Sequence, residues 1–120
     1  MGNAGYLTTH VLDTARGLPA DGVAISLYRI DGAERTLLAA AVTNADGRTD
    51  RPILDQAAFG AGVYELLFRV GAYLDRAAPA GGALRFLGDV PIRFGVDDPD
   101  RHYHVPLLVS PFGYSTYRGS

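Results

Sequence analysis

The 120-residue chain has three histidines, at positions 10, 102 and 104. One lies in "YLTTHVLD" (6–13); the other two lie in "HYHVPLLVS" (102–110). An imidazole with its ordinary pKa of about 6.5 can take up or release a proton near neutrality. Arg48 follows Asp46-Gly47 in "NADGRTD" (44–50). Its guanidinium offers planar, forked donors for an acyl oxygen that is gaining negative charge. Each residue also has an ordinary interpretation. A strand histidine is often a solvated surface group, and Asp46-Gly47 is a turn that would leave Arg48 in water. "HYH" places two imidazoles at i and i+2, on one side of a strand, which would suit two ligands of a metal. A zinc site wants three or four ligands, however, and no third His, Asp or Glu falls at an obvious spacing.

These groups have to be positioned by strands. Short alternating runs recur at 6–13, 23–30, 35–43, 62–70, 90–96, 102–110 and 113–120, separated by Gly, Pro, Asp and Asn. "DGAE" (31–34) marks a hairpin. "AYLDRAA" (72–78) is the only helical pattern, two turns before Pro79, and "APAGGALRFLGDV" (78–90) reads as a loop. Seven or eight strands without intervening helices predict an antiparallel β-sandwich in one domain. Residues 1–5 are expected to form a flexible start.

Alternation divides each strand between two faces. Tyr103, Val105, Leu107 and Val109 are the apolar set and belong in a core. His102, His104, Pro106 and Leu108 share the other face. Thr8, His10 and Leu12 share a face of the first strand. A hairpin around "SPFG" (110–113) that pairs Val109 with Tyr114 sets Leu108 opposite Ser115, Pro106 opposite Tyr117 and His104 opposite Gly119. His104, Ser115 and Tyr117 would then share one face and Arg118 the other. A slip of one residue would scramble the set.

Composition excludes several classes. Lys and Arg number 11 against 13 Asp and Glu, a formal net charge of −2, so there is no general attraction to nucleic acid or anionic lipid. No apolar run approaches the roughly 18 residues of a membrane span. "MGNAGYL" lacks the basic and apolar regions of a secretory signal, and Tyr6 stands where myristoylation wants Ser or Thr. With no cysteine there is no disulfide or thiolate site, which fits a cytoplasmic protein.

Three segments, "LTTHVLDTARGLPA" (7–20), "TNADGRTD" (43–50) and "HYHVPLLVSPFGYSTYRGS" (102–120), together resemble the 5-hydroxyisourate hydrolases, the transthyretin-related enzymes of urate breakdown. The likeness runs from about Tyr6 to Ser120, and the terminal "YRGS" is its most specific part. It separates the hydrolases from the transthyretins, whose chains continue differently. The resemblance implies a transthyretin-like sandwich with one short helix. It also implies a homotetramer, a dimer of dimers, with active sites in the channel between dimers. The implied catalytic residues are His10, Arg48 and His104. The transthyretin counterparts look like lysine, glutamate and threonine. "FLGDV" (86–90) departs from the family's usual "FFPEV", in a segment remote from these residues.

The implied reaction is the hydrolytic opening of a cyclic amide in a small, planar, purine-derived ring, giving 2-oxo-4-hydroxy-4-carboxy-5-ureidoimidazoline without metal or organic cofactor. One histidine would activate water and the other orient or donate; the order is open at this stage. Arg48 would polarise the carbonyl. Tyr117, Arg118, Gly119, Ser120 and Ser115 are expected to bind substrate. Tyr117 would line the pocket, Ser120 would hydrogen-bond through its hydroxyl or carboxylate, and Arg118 would instead steady the chain end through a charged pair. Two other functions compete with catalysis: a transthyretin-like carrier of a small aromatic ligand, and a structural sandwich without a site. Two histidines with an arginine argue against both.

Overall fold

A computed structural model of the chain describes residues 5–119. Eight strands and one helix follow in the order β1 (Leu7–Asp13), β2 (Leu18–Pro19), β3 (Ala24–Asp31), β4 (Glu34–Val42), β5 (Gly62–Phe68), α1 (Val70–Ala77), β6 (Val90–Val96), β7 (Tyr103–Ser110) and β8 (Gly113–Thr116). They form two four-stranded sheets, β2-β1-β7-β8 and β4-β3-β5-β6. The sandwich and its single short helix are as the sequence implied.

The core lies between the sheets. On β1 the inward set is Leu7, Thr9, Val11 and Asp13; on β7 it is Tyr103, Val105, Leu107 and Val109. From the other sheet Ile25, Leu27, Leu66 and Phe68 meet them. Burying one such side chain fully contributes about 1.5–3 kcal/mol. The two buried polar groups of β1 are both paired. Thr9 donates through Oγ1 to Val105 O at 2.7 Å. Asp13 accepts from Tyr73 Oη at 2.7 Å and from the Arg16 N–H at 3.1 Å.

Tyr73 belongs to α1, which lays Val70, Tyr73 and Leu74 on the sandwich, the i, i+3, i+4 spacing of one helical face. The helix begins two residues earlier than its sequence pattern and ends before Pro79. Arg85 reaches back to its last turn, donating to Leu74 O at 2.8 Å and to Ala78 O.

Two features depart from the sequence reading. Five of the six strand pairings are antiparallel, but β1 and β7 run parallel, with Thr8 beside His104 and His10 beside Pro106. Strands so far apart in sequence are joined by a long crossover, which permits parallel pairing where a tight hairpin does not. The last strand does not continue to residue 120: ladder pairing ends at Leu107–Thr116, and one isolated bridge, His104–Gly119, follows. Val109–Tyr114, Leu108–Ser115 and His104–Gly119 match the expected register. Of the start expected to be loose, residues 1–4 lie outside the described residues; Gly5 is buried and donates its N–H to Pro99 O at 3.0 Å.

Candidate active site

The parallel β1–β7 pairing sets two rows of side chains next to each other on the outer face of their sheet. Tyr6, Thr8 and His10 form one row; His102, His104 and Pro106 form the other. The Tyr103 N–H donates to Tyr6 O at 2.9 Å, which carries the register one residue beyond β1. His10 and His104 are half-buried, with ring centroids 6.4 Å apart.

The third group comes from the loop after β4. Asn44 shapes that loop: its Oδ1 accepts from the Asp46 N–H at 2.9 Å and the Arg48 N–H at 3.2 Å. Gly47 turns the backbone at φ 74°. The Val11 N–H then donates to Gly47 O at 2.8 Å, and Arg48 bridges to His10. His10 donates its Nε2–H to Asp46 O at 2.9 Å. A carbonyl only accepts, so this bond places the proton of the neutral ring on Nε2 and leaves the lone pair on Nδ1.

Beside these groups opens a cleft of about 460 Å³, lined by Tyr6, Thr8, Arg48, Arg51, His102 and His104 among others. That is within the usual size of small-molecule sites, about 300–1,000 Å³. Arg48 and His104 are wall residues; His10 is not among the lining residues but neighbours both, through its ring beside His104 and its backbone bridge to Arg48. Both imidazoles have their pKa lowered. For each the largest cause is burial, which disfavours the charged ring, and the Arg48 cation adds to it. At His104 the other two histidines push the same way; at His10 the Asp46 carbonyl opposes. His102 is lowered by burial alone. Each of these shifts favours the uncharged ring.

Gly119 pairs with His104 through two backbone hydrogen bonds, and a Cβ on it would come within 3.1 Å of the imidazole. Ser115 is exposed opposite Leu108. Tyr117 and Arg118 line a second groove, with Ile92, Phe94 and Val105. Tyr117 therefore does not line the histidine cleft within the single chain, because the ladder stops at Thr116 and alternation no longer fixes its side. Arg118 stacks over the Tyr103 ring at 4.2 Å, and Tyr103 donates to Asp97 Oδ1 at 2.8 Å. Ser120 lies outside the described residues.

The sequence reading did not single out Thr8, Tyr6 or Arg51 as site residues, and weighed His102 only as a metal ligand. Thr8 and His102 were legible as face-mates of His10 and His104, and Arg51 only from its nearness to Arg48. Among the described residues no group of three or more His, Cys, Asp or Glu is placed to hold a metal ion, so "HYH" has no third ligand there. No helix among them is long and apolar enough to cross a membrane.

A small β-sandwich with a His–Arg cleft on one outer face is the class that fold and site define. The profile of the HIUase/Transthyretin family matches residues 7–119. The chain is 54% identical over its full length to the full length of a Rhizobium meliloti protein named 5-hydroxyisourate hydrolase 2. The solved Klebsiella pneumoniae 5-hydroxyisourate hydrolase is 41% identical, with TM-score 0.78, covering 96% of this chain and 99% of that one. An (S)-allantoin synthase structure is 46% identical at TM-score 0.92; it covers 99% of this chain, which spans only 45% of that longer one. The chain belongs to the HIUase/Transthyretin family.

Proposed function

We propose that this protein is a hydrolase that opens 5-hydroxyisourate in urate degradation. The observation that carries the reading is that His104 and Arg48 line one cleft while His10 sits beside both, its ring 6.4 Å from that of His104 and its backbone bridged to Arg48. The names of its full-length relatives support the same substrate.

Chemically, a water oxygen adds to the ring carbonyl while one water proton passes to His10. His10 is the base because Asp46 has taken its Nε2–H and left the Nδ1 lone pair. Arg48 holds the oxygen on which negative charge grows. The carbon–nitrogen bond then breaks, and the leaving nitrogen takes the proton that His10 took from water, which returns His10 to its neutral form, while neutral His104 donates a hydrogen bond to the reacting ring. Imidazole, guanidinium and water supply every group this route uses.

The assembly belongs to the same proposal. As a homotetramer, the protein would present each cleft to a neighbouring subunit, and Tyr117 to Ser120 would help close it and bind the ring. Gly119 already lies against His104. A cytoplasmic location, without nucleic-acid or membrane partners, goes with this reading.

The test generates 5-hydroxyisourate in place with urate oxidase and follows its ultraviolet decay. Adding this protein should accelerate the decay well above the spontaneous rate. A carrier of small aromatic ligands, the second function open to the family, would leave the decay rate unchanged.

A further inference from the structure

Among the described residues His104 has no carbonyl or carboxylate partner to fix its tautomer; what it has is Thr8. Thr8 Oγ1 lies 2.8 Å from His104 Nδ1 and 2.6 Å from His102 Nε2, so one hydroxyl touches two imidazoles. A threonine hydroxyl donates once and accepts through two lone pairs. When it donates to one ring, the other ring must donate to it, so the two tautomers are coupled. His102 is itself held: Tyr6 stacks on it with centroids 4.2 Å apart and planes 13° from parallel. These distances follow from backbone pairing, because the β1–β7 register puts Thr8 directly beside His104.

We propose that Thr8 and His102 are positioning residues that fix neutral His104 as a hydrogen-bond donor to the substrate: His102 Nε2–H donates to Thr8 Oγ1, Thr8 O–H donates to His104 Nδ1, and the His104 proton is held on Nε2. This direction makes His104 complementary to His10. The Asp46 carbonyl keeps a lone pair on His10, and the threonine hydroxyl keeps a proton on His104. Two chemically identical side chains thus become a base and a hydrogen-bond donor through the different groups behind them. The inference rests on the hydrolase reading for its catalytic consequence, but the tautomers themselves can be measured without substrate.

With only three histidines, ¹⁵N-histidine labelling gives a spectrum that can be assigned. In the unaltered protein His104 should show a protonated Nε2 and an unprotonated Nδ1, and His102 a protonated Nε2. Thr8→Val, close in shape but without the hydroxyl, should give His104 mixed tautomers. It should lower kcat about tenfold or more, less than the outright removal of a placed hydrogen-bond donor costs, and change KM little. Thr8→Ser should restore both the spectrum and kcat. A second pair guards against misfolding: His102→Phe keeps the stack on Tyr6 but removes the donor and should lower kcat severalfold, whereas His102→Gln supplies an amide N–H and should recover part of it. An unchanged His104 spectrum in Thr8→Val, or the opposite tautomer in the unaltered protein, overturns the proposal. So does a loss that appears only in KM. If the tautomers are as stated but His104→Ala still turns over normally, the catalytic reading of His104 fails instead.

Discussion

At the residue scale, the environments of the imidazoles matter more than their number. Burial and the Arg48 cation both lower the pKa of His10 and His104. A base must be uncharged, so activity should be present above its pKa and be lost as pH falls through it. The midpoint of the acid limb of kcat/KM should therefore lie below the ordinary value of about 6.5. In Arg48→Gln the cation is gone and both histidines should titrate at higher pH, which NMR titration reads even where turnover is weak. Arg48→Ala should lose on the order of 10²–10³ in rate, as removal of a single oxyanion donor does. His10→Ala and His104→Ala should lose most of their activity and keep their assembly. Near-normal turnover in any of the three would remove that residue from the mechanism.

At the element scale, the site depends on three close approaches: the 43–52 loop against β1, β1 against β7, and the chain end against His104. Gly47 is the pivot of the first. Its φ of 74° is disfavoured for other residues, and a Cβ there would meet Val11 O and come 3.2 Å from His10 Cδ2. Gly47→Ala should cost about 1–3 kcal/mol of stability and displace His10, so activity should fall further than the melting temperature suggests. Tyr73→Phe tests the strut beneath the site. It strips a hydrogen bond from the buried Asp13 carboxylate at the end of β1 and should cost about 1–3 kcal/mol, read by denaturant unfolding. Being on the opposite side of the sheet from the cleft, it should change kcat little.

At the scale of the whole molecule, a single chain leaves the cleft open to solvent and Tyr117 facing a different groove. The proposed tetramer resolves both, since a facing subunit can cover a surface site that its own chain cannot. Light scattering should give the mass of four chains. Deleting residues 117–120 should abolish turnover while leaving the sandwich folded, because the β7–β8 ladder already ends at Thr116. Full activity in the truncated protein would make the terminal tetrapeptide structural only.

The alternation of β7 was enough, by itself, to assign Tyr103, Val105, Leu107 and Val109 to the core and His104 to the other face. An assumed hairpin around 110–113 set His104 opposite Gly119, and the ladder has that register, although Ser110 and Gly113 themselves pair and the turn is only Pro111-Phe112. Both are local facts, governed by the two-residue period of a strand and the geometry of a short turn. The site residues could be picked out from sequence largely through their resemblance to a known family. Neither period nor propensity shows that β1 lies parallel to β7, since strands some 90 residues apart meet only when the two sheets close on a common core. That meeting brings Thr8 between His102 and His104, and it carries Arg48 to His10 on a loop whose path Asn44 and Gly47 direct. Side-chain types and their faces were written in the order of the residues; which imidazole holds a lone pair and which a proton depended on neighbours that only the folded chain supplies.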